Sequence, residues 1–407
     1  MQKLLIFTPK LNTRIQYIFD FILKDFSGLN FEFTTNSQFF EASDAQRINY
    51  SDQPFGYEFF LKADDFMFES GISDTIQFNE LNEIGKCFYA LSRYEEYLPH
   101  KTDHHNRFSG KDKVYKTPFV DEFIRQFQTE LLEKYSNLKF KERKFEIILT
   151  CDVDQAWKYK NKGLKRTLGA FIKDLIKFDF KEFTIRKSVI SENEKDPFDT
   201  YHFFKERLDV KDINQVIFFW LMADYAQFDK NNPVDNQVFQ KKIREVSTWS
   251  DFGIHPSYAS NLHPKKLSVE IKRLKNILGK PILKSRQHYI KLKFPETYRN
   301  LLSNGIKEDY TMAYADETGF RAGTCSSFFW YDLEKEEKTD LEIHPFCAMD
   351  VAMRNYMKLS KEESIQELKR LKSSIQKVDG KMIVLFHNSN FHESWSGWKE
   401  VMDSLFA

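Results

Sequence analysis

Two carboxylates, Asp152 and Asp154, close an apolar run at 145–151, and their spacing is the first sign of chemistry in this chain. Such a run reads as a buried strand, and residues at i and i+2 leave a strand on the same face, so both acids can reach one small volume where the chain turns out of the sheet. One of them can take a proton while the other holds a cation. Further polar, titratable residues sit at or near the ends of other strand-like runs: His255, Arg286, His288, Asp309, His344 and His387. Singly, each is more simply a capping group or a hydrogen-bonded core residue. Their repeated coincidence with strand ends points to a shared site.

The elements that must position them can be read from the hydrophobic pattern. Seven strand-like runs, at 145–151, 216–221, 252–255, 282–286, 308–312, 341–346 and 382–387, alternate with helical patterns at 236–247, 264–277, 295–303, 361–377 and 397–406. This alternation predicts a parallel sheet closed, or nearly closed, into a barrel, with chemistry at the C-terminal ends of its strands. The earlier residues read as a smaller α/β unit. Strands are expected at 3–8 and 30–34, a helix at 12–23, short alternating segments near Ile48, Tyr57 and Thr75, and helices at 81–97 and 120–135. The charged stretch 139–144 reads as a connector, which divides the chain into 1–140 and 141–407.

Composition narrows the function. The 61 Lys and Arg balance 60 Asp and Glu, so no global charge favours nucleic acid. Cys87, Cys151, Cys325 and Cys347 form no C-x-x-C pair, which predicts reduced, buried thiols rather than a zinc knuckle or disulfide framework. The 14 Gly do not cluster into a phosphate loop. The N-terminal apolar run is too short for a signal peptide, and no later run reaches the roughly 18 apolar residues of a membrane span. A cytoplasmic protein is expected.

On these residues the chain resembles the polysaccharide deacetylases, the NodB-homology, carbohydrate esterase family 4-like amidohydrolases that take acetyl groups from N-acetylated sugars on a distorted seven-stranded β/α barrel. The resemblance covers about 145–407. Thr150-Cys-Asp-Val-Asp154 is similar to the family's D-x-D motif, which implies Asp152 as general base and Asp154 as metal ligand. Gly253-Ile-His255-Pro-Ser-Tyr258-Ala259 is similar to the second motif, where H-x-x-x-H supplies two imidazole ligands, but position 259 is Ala. Arg286 resembles the arginine that orients the base, and Val384-Leu-Phe-His387 the motif whose histidine is the general acid. Gly319-Phe-Arg321-Ala-Gly323 and Leu341-Glu-Ile-His-Pro345 fill the intervening places. The N-terminal part looks like the companion domain found before such deacetylases in some bacterial polysaccharide loci.

The resemblance implies a divalent metal, zinc by preference, on Asp154 and His255, with His263, His288 or Asn261 as replacements for the missing histidine. It implies Asp152, Arg286 and His387 as catalytic, and Tyr258, His288, Arg321 and Trp395 as substrate contacts. Three readings follow from Ala259: a rebuilt metal site, a metal-independent amidohydrolase, or an inactive barrel that binds glycan or acts as a scaffold. The substrate would be a saccharide or lipid-linked glycan precursor. Trp395 and Trp398 either stack on a sugar or pack the start of a helix, and His104-His105 reads as part of a polar loop. Segment 158–187 carries ten Lys or Arg against three acids, interleaved with Leu and Ile. It reads as a solvated helix or, alternatively, as a lid or peripheral membrane contact.

Overall fold

The computed structural model describes residues 4–111, 114–208 and 213–406. Four strands, β1 (Leu4–Phe7), β2 (Phe31–Thr34), β3 (Gln46–Ser51) and β4 (Phe59–Lys62), form an all-parallel sheet in the order β2-β1-β3-β4. All four residues of β1 are buried, and burial on both faces is what a continuous apolar run implies. The helix expected at 12–23 begins at Thr13, where the Asn12 side chain accepts from the Ile15 amide, and continues as a π-helical stretch, Asp20–Phe26. The segment near Thr75 forms no strand; it leads into a single 3-10 turn, Phe78–Glu80.

The second sheet has nine strands: β5 (Glu146–Val153), β6 (Gln215–Leu221), β7 (Asp251–His255), β8 (Lys284–Ser285), β9 (Glu308–Asp309), β10 (Phe328–Asp332), β11 (Glu337–Ile343), β12 (Ala348–Met349) and β13 (Lys381–His387). Their order is β10-β11-β9-β8-β7-β6-β5-β13-β12, and only the β10–β11 pair is antiparallel. All seven expected runs become strands, β8 and β9 with two residues each. The helices between them also form where the pattern places them. Pro264 opens Pro264–Leu278, which ends on the left-handed Gly279, and a Ser360/Glu363 capping box starts Lys361–Gln376.

Of the expected seven-stranded barrel, closed or nearly closed, the ladder shows a nine-stranded sheet without closure between its ends. β11 bonds β9 on one side and the antiparallel β10 on the other, so it has no free edge for β12. The connecting segment 344–347 spans the gap instead: the amides of His344 and Phe346 donate to the Asp309 and Met312 carbonyls on the β9 side at 2.8 and 3.1 Å, and that of Cys347 to the Ile383 carbonyl of β13 at 3.0 Å. The sheet is nevertheless strongly curled. β8 and β5 are three ladders apart, about 14 Å on a flat sheet, yet Arg286 beyond β8 hydrogen-bonds Thr150 on β5 at 2.6 Å. Inward-facing Ile148, Ile217, Phe219, Ile383 and Leu385 share one cluster with Tyr310 and Met349 from the two far sides.

The two sheets are packed into one continuous core that runs from Leu4 to Leu405. Buried charge also joins them: Glu96 accepts from Arg93 Nε at 2.7 Å and from Arg321 Nε at 2.9 Å. Burial would raise the Glu96 carboxyl, but the two guanidinium charges outweigh it and bring it down to about 2. No helix among the described residues is long and apolar enough to cross a membrane.

Gly253 marks how tightly the curl is packed beside the site. A Cβ there would lie 2.6 Å from the Phe219 ring and 2.8 Å from the Lys284 carbonyl. Gly253→Ala is expected to cost about 1–3 kcal/mol, read as a lower denaturant midpoint with an unchanged slope.

Candidate active site

Asp152, Asp154, His255, His288 and His387 line one cavity of about 310 Å³ at the C-terminal ends of the parallel strands. Parallel register is what assembles them: Asp152 on β5 pairs with His387 on β13, and His255 ends β7 two ladders away. Asp152 is buried. Its Oδ1 accepts from Arg286 Nη1 at 3.2 Å, and the same nitrogen donates to Thr150 Oγ1 while Arg286 Nε donates to the Tyr310 carbonyl at 2.8 Å. The guanidinium lies between the rings of Phe219 and Phe346, 4.7 and 4.8 Å from their centroids.

Asp154, His255 and His288 form the one potential metal cluster among the described residues. Asp154 Oδ1 lies 3.3 Å from His255 Nε2 and 3.5 Å from His288 Nε2. Ligands at 2.0–2.1 Å on a tetrahedral ion are about 3.3 Å apart, so the two Asp154–imidazole separations are near that spacing, and all three ligand atoms lie within 4.8 Å of one another. Asp154 Oδ1 and His255 Nε2 are buried without a hydrogen-bond partner, and an Asp-His-His donor set suits zinc and similar divalent ions. The residues fit a metal.

Each imidazole is held through its other nitrogen. His255 Nδ1 donates to the Arg286 carbonyl at 2.6 Å, His288 Nδ1 to Asp229 at 2.9 Å, and His387 Nδ1 to Asp350 at 2.8 Å. Burial would lower the two charged imidazoles, but carboxylates reverse it. His288 is raised to about 9, chiefly by Asp154 and then Asp229, and His387 to about 10, chiefly by Asp350 and then Asp154 and Asp152. Burial likewise opposes ionisation of Asp154, yet the His288 charge and the close approach of both imidazoles hold its carboxyl well below the usual range.

Several residues named from the sequence lie elsewhere. Arg321 is buried on Glu96 and the Ala313 carbonyl and does not line the cavity. Trp395 packs against Trp398, 5.0 Å between centroids, beneath the Arg354 guanidinium. Asp309 is satisfied by Ser285 and Thr311, and His344 stacks on Tyr310 beside Glu308, so neither reaches the mouth. His263 and Asn261 are not in the metal cluster; Asn261 donates to the Lys291 carbonyl. Tyr258 stands behind two lining aromatics, Phe228 and Tyr289, at 4.4 and 5.2 Å. His288 lines the cavity as a member of the Asp154–His255–His288 cluster.

Sequence reading missed Asp229 and Asp350, the partners of His288 and His387, and the lining residues Gln155, Tyr289, Tyr356 and Arg107. Asp350 follows β12, so the strand-end rule would have found it had that two-residue strand been recognised. Asp229 lies in the irregular stretch after β6 and carries no such signal. Arg107 comes from the N-terminal part and donates to the Tyr289 carbonyl and the Tyr356 hydroxyl at 2.8 and 2.9 Å. His105, expected in a polar loop, is buried against Tyr289, with ring centroids 4.7 Å apart.

Residues 4–136 match the model of a family of unknown function, DUF7033. No curated protein matches the chain. Among solved structures, a putative polysaccharide deacetylase from Mycobacterium smegmatis is similar with a TM-score of 0.40 at 12% identity, over 66% of this chain and 85% of its own. The polysaccharide deacetylase Bc1974 from Bacillus cereus gives 0.33 at 11%, over 65% and 86%. BA3943, a CE4 family pseudoenzyme from Bacillus anthracis, gives 0.32 at 11%, over 64% and 60%.

A proton on His288 occupies the ground a cation would take, so metal uptake must expel it. Zinc titration by calorimetry in buffers of different ionisation enthalpy should show release of about one proton per ion near pH 7, with affinity falling as pH falls. His288→Ala should weaken binding by about 100-fold or more; unchanged affinity would remove His288 from the ligand set.

Proposed function

We propose that the chain is a metal-assisted amidohydrolase that removes acetyl from an N-acetylated saccharide or glycan precursor. The observation that carries this is the meeting, in one cavity, of a buried acid fixed by Arg286, a three-residue cation site, and a histidine fixed by a second acid. Amide hydrolysis needs those three functions: a base for water, a charge facing the carbonyl oxygen, and an acid for the departing amine.

In this reading Asp154, His255 and His288 hold a divalent ion, zinc by preference, which when bound acidifies water and polarises the acetyl carbonyl. Asp152 takes the water proton at its Oδ2; its Oδ1 is occupied by Arg286, which holds the carboxylate in place. His387, protonated at neutral pH and held through Nδ1, donates from Nε2 to the leaving sugar nitrogen. A cavity of about 310 Å³ with Phe228 and Tyr289 on its wall suits a single sugar ring against an aromatic face. Ala259 motivates the glycan-binding and metal-independent alternatives; the position of His288 supports the rebuilt metal site over both. Residues 1–140 act here as a companion domain supplying Arg107 to the cavity of a hydrolase spanning 141–407, and a cytoplasmic precursor as substrate belongs to the same proposal.

Acetate release from a panel of N-acetylated amino sugars, free and nucleotide-linked, tests the reading. Asp152→Asn should reduce turnover by about 10²–10⁴; equal release by both proteins removes Asp152 from the reaction, and sugar binding without release by wild type favours the glycan-binding alternative.

Asp350 gives a pH test. It is the largest influence raising His387, so Asp350→Asn lowers the imidazole pKa and the acid is lost at lower pH. The alkaline limb of the kcat profile should move down by about one unit or more, while the acidic limb stays in place.

A further inference from the structure

Between β5 and β6 the chain leaves the sheet as a helical hairpin, Leu164–Ile176 and Phe180–Ile190, joined at Phe178. An amphipathic helix on a protein normally turns its apolar stripe inward. Here the reverse holds. Leu164, Leu168, Ile172, Leu175 and Ile176 recur at helical spacing on one face, Phe178 and Phe180 extend that face round the turn, and all seven are between 48% and 78% exposed. None belongs to a hydrophobic cluster of the described residues.

The buried side of the same helix is the charged one. Asp174 is buried and accepts from Arg186 Nε of the second helix at 2.7 Å, and Arg186 in turn lies over the Tyr159 ring at 4.9 Å. Phe171 meets Phe183 at 5.1 Å to close the hairpin on itself. The exposed stripe is therefore not left over from poor packing: the hairpin is folded on its ion pair and presents its apolar side outward. Exposed Lys165, Lys173 and Lys177 border that side, and Lys181 beside them pairs with Glu393 at 3.1 Å.

Charge identifies what covers it. Residues 158–187 hold ten Lys or Arg against Asp174, Asp179 and Glu182, a surplus of seven in a chain whose whole net charge is +1. We infer that this hairpin is a docking surface for an anionic lipid bilayer, its Leu and Ile stripe lying in the headgroup boundary, Phe178 and Phe180 inserted at the turn, and the lysines on acidic headgroups. Apolar area and basic charge on one helix face are the two terms that drive interfacial binding, and neither alone suffices. A protein partner, or a second copy of this chain, would have to offer both an apolar groove and acidic borders. The orientation favours the cavity side: the hairpin follows Asp152 and Asp154 directly, and Arg166 within it donates to the carbonyls of Lys230, a cavity residue, and Asn231. The inference does not depend on which bond the site cleaves.

The test is flotation of the full-length protein with vesicles of equal phosphatidylcholine and phosphatidylglycerol, against phosphatidylcholine alone. Binding is expected to the anionic vesicles, and to fall by about tenfold or more at roughly 0.5 M salt. The double substitution Ile172→Glu, Ile176→Glu, at exposed positions and with thermal unfolding measured alongside, should lose binding to a similar extent; Lys173→Glu, Lys177→Glu should do so independently. Absence of flotation by wild type, retention of it by the Ile variant, or a solution dimer that the Ile variant splits into monomers that bind no vesicle would overturn the inference, the last in favour of a second copy as the occupant.

Discussion

The site depends on a single buried contact across the curl of the sheet, that of Arg286 with Thr150 and Asp152. A guanidinium taken wholly out of water is costly unless it meets an opposite charge and fixed acceptors. Arg286 meets three acceptors: a hydroxyl and a carboxylate on β5, and the Tyr310 carbonyl beyond β9. Satisfying them all requires the sheet to bend until strands three ladders apart face one another. The same bend brings the end of β7 toward Asp152, which has β13 as its ladder neighbour, so the geometry of the acid and the curvature of the sheet are one requirement. Removing the Arg286 charge would leave Asp152 buried without its partner, which for buried pairs is typically worse than never having had either.

Around that contact the three histidines obey a common rule. In each, Nδ1 is committed to an acceptor outside the cavity, the Arg286 carbonyl, Asp229 or Asp350, and this fixes both tautomer and ring plane. The Nε2 atoms of His255 and His288 then converge on Asp154 without further choice. The acceptors differ in charge, and so do the consequences. His255 leans on a neutral carbonyl; His288 and His387 lean on carboxylates and are pushed toward the charged form. For His288 the charge faces Asp154 within the cluster, and for His387 it faces Asp350.

Much of this arrangement was legible in the sequence because strand ends are. Asp152, Asp154, His255 and His387 each follow an apolar run whose length and β-branched content mark a strand, and parallel register does the rest. The errors have physical causes. Arg321 lies in an irregular stretch, where nothing local distinguishes a cavity cation from a buried ion-pair partner, and its partner, Glu96, is 225 residues away in sequence. Whether the sheet closes was not legible, because a hydrophobic pattern does not reveal which edges of a strand are taken, and the antiparallel β10 takes the second edge of β11. The hairpin at 164–190 shows amphipathicity in its pattern, but a pattern has no sign: whether the stripe points in or out is decided by Asp174 and Arg186.

Ala259 is where sequence and structure disagree most usefully. Its side chain can ligate nothing, yet the helix that carries it still serves the site through its backbone: the amides of Tyr258 and Ala259 donate to the two oxygens of Asp229 at 2.9 and 3.3 Å. Asp229, so held, fixes His288. The chain then turns sharply, with Tyr289 and Ile290 both in the left-handed region at φ 63 and 55, a conformation β-branched Ile rarely adopts unless its surroundings impose it. That turn brings Tyr289 back to the cavity wall and leaves His288 facing Asp154. The side chain at position 259 offers no donor atom; the third member of the cluster, His288, follows the neighbouring strand β8, and the helix supplies hydrogen bonds to the residue that aims it. The third member of the Asp154–His255–His288 cluster thus comes from outside the segment 253–259, and the left-handed turn at Tyr289 and Ile290 accompanies its placement.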